Sequence, residues 1–153
     1  MSLVKKWRDV IDGVEVEVLE FSDTVESVKK ASELSGEPPN HIVKTLLLKA
    51  GNDYIVAIVR GDRKVNLKKI SQILRKPVTL SKPSEVEEVL KMKPGAVTPI
   101  SGIVKSLAVL LDPSILENDY ILCGGGALNR LFKVKTRDLV DYLKPQLIDS
   151  IFE

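Results

Sequence analysis

Ile42-Val43-Lys44-Thr45-Leu46-Leu47-Leu48-Lys49 and Tyr54-Ile55-Val56-Ala57-Ile58-Val59-Arg60, joined through Ala50-Gly51-Asn52-Asp53, decide the fold. Both runs are aliphatic and β-rich, and Gly51-Asn52-Asp53 is turn chemistry, so the stretch predicts a hairpin. Strand periodicity sends Ile42, Lys44, Leu46 and Leu48 to one face, and Val43, Thr45 and Leu47 to the other. A turn centred on Gly51-Asn52 sets Lys44 opposite Val59, flanked on its face by Ala57 and Gly61. A lysine in such a strand is costly to bury without a partner. It reads in two ways. It is a strand-end lysine that snorkels to water or guards an edge, or it anchors an anion such as a phosphate in the space left by the small residues.

Working outward toward the start, Pro38-Pro39 blocks continuation of a helix that opens at Asp23, with Glu26 at capping-box spacing. That helix carries Val25, Val28, Ala31 and Leu34 on one face and closes at Gly36. Val14 to Leu19 alternates valine with glutamate and reads as a half-buried strand. Ser2 is read as the cap of a short helix with Leu3, Trp7, Val10 and Ile11 on one face, ended by Gly13.

Working outward toward the end, Asn66 caps a helix through Leu67, Ile70, Ile73 and Leu74. Pro77 to Leu80 is a short strand. Pro83 starts a helix with Val86, Val89 and Leu90 inward. Lys93 to Gly102 holds two Pro and two Gly and reads as a loop. Strands follow at Ser106–Leu111, Tyr120–Cys123 and Leu131–Val134. Thr136 caps an amphipathic helix with Leu139, Val140 and Leu143, and Pro145 bends the chain into a short final helix. Hairpin-length connections outnumber crossovers. The expected class is therefore α+β, with a curved, mixed, largely antiparallel, barrel-like sheet and surrounding helices, as a single domain over residues 1–153.

The composition narrows the function classes. Hydrophobic residues make up 44% and charged residues 29%, so a full core is available and disorder is not expected. The net charge of +2 argues against a general polyanion binder but leaves room for a local basic patch. One cysteine excludes an internal disulfide framework and points to a reducing, cytoplasmic setting. No signal peptide and no apolar run of ~20 residues is present, so no membrane partner is expected.

Several segments could carry chemistry. Pro94-Gly95-Ala96-Val97-Thr98-Pro99 can aim backbone N–H groups at a carbonyl or anion, or simply connect two elements. Gly124-Gly125-Gly126 follows Cys123 at a strand end and would let a substrate approach the backbone, although it forms neither G-x-G-x-x-G nor a Walker motif. Cys123 reads as a small buried hydrophobe rather than a nucleophile. His41, the sole histidine, reads as an exposed loop residue, and one His with one Cys is too few ligands for a usual zinc site. Glu85, Glu87 and Glu88 read as a solvated helix face. Arg60, Arg63 and Lys64, with Lys68, Lys69, Arg75 and Lys76, form either a phosphate-tracking surface or a charged rim.

Taken in order, five segments resemble one family. They are Val43-Lys44-Thr45-Leu46-Leu47, the Arg60-Gly61-Asp62-Arg63-Lys64-Val65-Asn66 turn, Gly95-Ala96-Val97-Thr98-Pro99, Leu111-Asp112-Pro113-Ser114 and Gly124-Gly125-Gly126. The sequence resembles the YbaK/prolyl-tRNA synthetase-associated editing domain family from about Val14 to Leu143. That resemblance implies a trans-acting aminoacyl-tRNA deacylase that clears a wrong small amino acid, cysteine or alanine, from tRNA-Pro. The alternative is a non-catalytic module that binds the tRNA 3′ end or a synthetase. The family's key lysine falls on Lys44, and its Gly-x-x-x-Pro loop on Gly95 to Pro99. Its glycine segment falls on Gly124, Gly125 and Gly126, and Arg60, Arg63 and Lys64 are expected to meet tRNA. Lys91 and Ala96 stand where many members have glycine, which reshapes the pocket. An aminoacyl ester is labile, so positioning and charge stabilisation suffice, with water or a substrate group attacking. No cofactor or metal is expected. The partners are the charged tRNA 3′ end and prolyl-tRNA synthetase, on a monomer or weak oligomer.

Overall fold

The computed structural model describes residues 2–153. The deciding stretch forms β3 (Val43–Ala50) and β4 (Asp53–Arg60), paired antiparallel across a two-residue turn. Gly51 takes the first turn position with φ 62°, a left-handed conformation that favours glycine. The lysine register follows from this turn: Lys44 lies opposite Val59.

Two open sheets stack on each other. The first has the order β1 (Leu3–Ile11), β2 (Val14–Phe21), β8 (Arg130–Lys135), β7 (Tyr120–Gly124), all antiparallel. The second has the order β5 (Val78–Leu80), β3, β4, β6 (Ala108–Leu111), β9 (Gln146–Leu147). It is antiparallel through β5-β3-β4 and parallel at β4-β6 and β6-β9. The α+β, largely antiparallel expectation therefore holds, but neither sheet closes into a barrel. The sheets touch edge to edge at a parallel bridge, Ile42 to Leu122.

Alternation sorts the strand residues into three cores. Between the sheets lie Val14, Val16, Val18, Val43, Leu47, Val56, Ile58, Phe132 and Val134, closed by Leu139 and Leu143 of α5 (Thr136–Leu143). Outside the second sheet, Leu48, Ala57 and Val59 pack with Ile70 of α2 (Leu67–Leu74) and with Ile151 and Phe152. Outside the first, Leu19, Phe21, Ile42, Leu122 and Leu131 pack with Ala31 of α1 (Val28–Ser35). Each fully buried aliphatic side chain stabilises the fold by roughly 1.5–3 kcal/mol.

Several expectations fail locally. Residues 3–11 are a strand, not a helix. Their apolar spacing fits either period, but Asp12-Gly13, with φ 47° and 83°, makes a tight hairpin turn that pairs Ile11 with Val14. The first helix starts later than expected, because Ser27 rather than Asp23 caps it, accepting from Lys30 N at 3.1 Å. Gly102–Ser106 forms an unforeseen short helix, α4, capped by Ser101, so β6 begins only at Ala108. Thr136 is the first residue inside α5 and donates its hydroxyl to Asn118 O at 2.6 Å instead of capping. After Pro145 the chain adds β9 to the sheet and then makes a single 3-10 turn, Asp149–Ile151, not a helix. Asn66 caps α2, and Pro83 opens α3 (Pro83–Leu90), as read.

Candidate functional site

Lys44 stands in a gap between two of the cores. Ile42, two residues before it on the same face, packs under α1, whereas Leu48 beyond it packs under α2. The half-buried ammonium donates to the main-chain oxygen of Arg63 at 3.0 Å. Among the described residues no carboxylate forms an ion pair with it. Partial burial lowers its pKa, the neighbouring Lys64 lowers it further, and Asp62 opposes the shift. The small residues beside it do not leave room for a ligand. A Cβ on Gly61 would lie 2.5 Å from Pro39 O and 2.8 Å from Val28 Cγ1, and Ala57 is fully buried in protein contacts.

Strands β3 and β7 run in the same direction from the Ile42–Leu122 bridge, so Lys44 and Gly124 lie level, two residues further along. Leu122 and Ile42 share one core, which puts Gly124 on the same side as Lys44. There Gly124 meets the loop 93–99: a Cβ at Gly124 would sit 2.0 Å from Val97 O. Glycine is required here for close backbone approach. The loop opens with a turn closed by Ala96 N to Lys93 O at 2.9 Å, with Gly95 at φ 82°. Gly95 packs against Glu26 and Leu128. Beyond Val97 the loop crosses into the inter-sheet core, where the Thr98 hydroxyl pairs with the Cys123 thiol and accepts from Ile100 N at 3.2 Å. Among the described residues no protein acceptor takes the Val97 or Thr98 N–H. Lys44, Gly124 and the Gly95–Pro99 loop thus converge. Gly125 is buried beside Arg130, while Gly126, with φ 81°, faces open space.

The basic turn divides into inward and outward cations. Arg60 is held by Asp62 at 2.6 Å and Glu117 at 2.9 Å. Arg63 reaches the fully buried Asp112 at 2.7 Å and Phe152 O at 2.7 Å. Lys64, Lys68 and Lys69 are exposed and make no ion pair among the described residues.

Other candidates find plain structural roles. Burial pushes the Cys123 thiol up to about 12, which removes it as a nucleophile at neutral pH. His41 contacts Glu37 at 3.2 Å and lines a separate cavity of about 330 Å³ whose wall includes neither Lys44 nor the 95–99 loop. Glu85 is not a solvated residue: it accepts from Tyr54 OH at 2.5 Å and from Lys82 N at 3.0 Å, capping α3. Two polar residues have surroundings that the sequence does not signal. In the sequence Asp112 stands out only as part of the Leu111-Asp112-Pro113-Ser114 segment. Thr45 shares the core-facing side of β3, and its buried Oγ1 has no partner among the described residues, a state that asks for an explanation. No sequence signal marks an unsatisfied hydroxyl. Lys91 adopts φ 60° at the end of α3, the backbone region that glycine favours.

Known proteins supply independent comparisons. The chain is 33% identical over 107 residues to a proline--tRNA ligase of Thermoanaerobacter sp. (strain X514), covering 68% of this chain and 19% of that protein. It is 33% identical over 102 residues to the corresponding ligase of Thermotoga neapolitana, covering 66% and 17%. This chain therefore spans about a fifth of those enzymes. The crystal structure of a hypothetical protein superposes with a TM-score of 0.80 at 25% identity, covering 90% of this chain and 91% of the other. A candidate trans-editing enzyme for prolyl tRNA synthetase shares the fold, with a TM-score of 0.78, 24% identity and coverage of 88% and 85%. Residues 22–142 match the family described as the aminoacyl-tRNA editing domain, from before α1 to the last turn of α5 and across every converging segment. The chain belongs to the aminoacyl-tRNA editing domain family.

Proposed function

We propose that this protein is a trans-acting aminoacyl-tRNA deacylase, with residues 1–153 acting as one editing unit. Its substrate on this reading is tRNA-Pro carrying a wrong small amino acid, cysteine or alanine. The observation that carries the reading is a half-buried ammonium without a counter-carboxylate, level with a glycine that admits a loop bearing unpaired N–H groups.

In this mechanism Lys44 binds the phosphate or ribose oxygens of the terminal adenosine. A cation in a partly desolvated gap attracts an anion more strongly than one in water. The Val97 and Thr98 N–H groups orient the ester carbonyl and take up the charge that develops on its oxygen. Water, or a hydroxyl or thiol of the substrate itself, attacks the carbonyl carbon, and the ribose oxygen leaves with a proton. Gly124 forms the opposite wall with Gly126 at its open rim and Gly125 backing it from beneath, and Ala96 and Val97 limit the side chain admitted. A size filter of this kind discriminates by only ~1–3 kcal/mol per methylene. The exposed Lys64, Lys68 and Lys69 meet tRNA phosphates, while Arg60 and Arg63 shape the turn that carries them. Such a substrate is cytoplasmic, and among the described residues no helix is long and apolar enough to cross a membrane.

The test is a substrate panel: purified protein with tRNA-Pro charged with cysteine, alanine or proline, following ester loss against the uncatalysed rate. Faster loss of the cysteinyl or alanyl ester, with the prolyl ester spared, is the expected result. Binding without hydrolysis of any ester would leave a tRNA-end binding module in its place.

A further inference from the structure

We infer that the buried carboxylate of Asp112 positions Lys44, acting through Arg63, whose side chain and main chain serve opposite ends of one strut. The inference rests on Lys44 being the substrate anchor proposed above. The lysine ammonium hangs on the Arg63 carbonyl at 3.0 Å. That carbonyl belongs to a turn braced by main-chain bonds at both ends, Asn66 N to Ile151 O at 2.7 Å among them. Arg63 N donates to Arg60 O at 2.9 Å, and Gly61 N to Ile42 O at 2.7 Å. The guanidinium of Arg63 adds a side-chain tie from this turn to the loop after β6. Nη1 reaches Asp112 Oδ1 at 2.7 Å, and Nη2 reaches Phe152 O at 2.7 Å.

Asp112 is built to hold this position. It has no exposed surface, and its Oδ1 also accepts from Ser114 N at 3.0 Å and Ser114 Oγ at 2.7 Å. Its own N–H donates to Ile58 O at 3.0 Å, locking it to the end of β4. A buried carboxylate with several donors and one arginine has a single low-energy geometry. The other partners of Arg63 are softer. Asp149 lies at 3.4 Å and is largely exposed. The backbone pairing of Lys64 with Glu153, at 2.7 and 2.8 Å, completes the brace from the far side. A carboxylate on the loop after β6 thereby sets where the cation on β3 waits. Arg63 and Asp112 are positioning residues and do not touch substrate.

The test reads Lys44 directly as well as through activity. In protein with 15N-labelled lysine ammonium groups, the Lys44 signal is assigned by its loss in Lys44→Arg and titrated with pH. In Asp112→Asn the turn loosens and Lys44 swings toward water. Its titration midpoint then moves up toward the ordinary lysine value, and ammonium proton exchange quickens. On the cysteinyl or alanyl ester, KM rises by about tenfold with a smaller change in kcat, as expected for a binding group displaced rather than removed. Ser114→Ala, which deletes one bond to Asp112 and is the gentler change, shifts both readouts in the same direction by less; it serves if Asp112→Asn does not fold. Asp149→Asn leaves both unchanged. A folded Asp112→Asn or Ser114→Ala protein with the Lys44 signal and KM of the parent overturns the strut. A Lys44 signal that moves in a protein whose parent hydrolyses no ester keeps the strut and overturns the proposed function instead.

Discussion

The turn at Arg60–Asn66 and the loop at Lys93–Pro99 both border the candidate site, yet they are held by different forces. The turn is fixed by charge on top of main-chain pairing: Arg60 and Arg63 engage carboxylates, of which Asp112 is fully buried, and Lys64 pairs with Glu153. The loop makes no ion pair among the described residues and is fixed by shape. It is wedged where Gly124 leaves a gap no Cβ could share, and it is pinned by Thr98 and Ile100 in the core. Charge fixes the site of a cation, here the ammonium of Lys44. Shape leaves N–H groups free, here those of Val97 and Thr98. An anchor and a recognition surface need these opposite properties, and the two should respond to different perturbations.

The largest expected effect comes from removing the anchor itself. Lys44→Ala should lose about 100-fold or more in kcat/KM, roughly 2.7 kcal/mol or more of transition-state binding, while staying folded, since among the described residues the ammonium makes one protein hydrogen bond. Steady-state ester hydrolysis and a urea melt together check this. Next comes the wedge. Gly124→Ala puts a methyl 2.0 Å from a backbone carbonyl, so the loop must move. The expected cost is about 1–3 kcal/mol of stability in a urea melt, together with a loss of discrimination between amino acids. A Gly124→Ala protein of unchanged stability and selectivity would break the claim that shape holds the loop.

The charge-held side should respond to pH. Lys44 binds an anion only while protonated, and its pKa lies below the ordinary lysine value. Affinity for a non-hydrolysable tRNA 3′-end analogue should therefore fall as pH climbs through that depressed value, and Lys44→Arg should abolish the fall. The stability contribution has the opposite sign. The folded state binds the proton less tightly than the unfolded state, so this residue favours folding more as pH rises from the folded toward the unfolded value. Isothermal titration across pH checks the first, and urea midpoints across pH check the second.

The smallest effect lies just before the loop. Lys91 holds φ 60° at the end of α3, and Lys91→Gly should stabilise the fold by about 0.5–1 kcal/mol in the same melts. Destabilisation would mean that its side chain supports the loop after all.

Much of this was legible in the sequence, for reasons that separate along the same line. Gly51-Asn52 fixed the register of Lys44 because turn chemistry and strand period are local. The Asp12-Gly13 turn is equally local, but the apolar spacing before it suits a helix as well as a strand, and a glycine there also fits a helix end, so the pattern alone does not mark β1. The convergence of Lys44 with Gly124 was hidden, because it depends on the Ile42–Leu122 bridge, a contact across eighty residues that no local pattern encodes. The inward turning of Arg60 and Arg63 was hidden as well. Their partners Asp112, Glu117 and Asp149 are distant in sequence, and a run of basic residues looks the same whether it faces water or carboxylates. Thr45 shows the limit most plainly: a hydroxyl in a strand is ordinary, and only its lack of a partner among the described residues sets it apart.

The central claim is that Lys44 and the Gly95–Pro99 loop grip the same charged tRNA end. The most direct test follows the Lys44 ammonium and the Val97 and Thr98 amides by NMR. A terminal adenosine 5′-phosphate carrying alanine through a 3′-amide, which cannot be hydrolysed, is titrated in. All three signals are expected to shift together along one binding curve, and Lys44→Ala to weaken the amide shifts at a given concentration. Saturable binding that moves neither the Lys44 signal nor the two amides would contradict the claim.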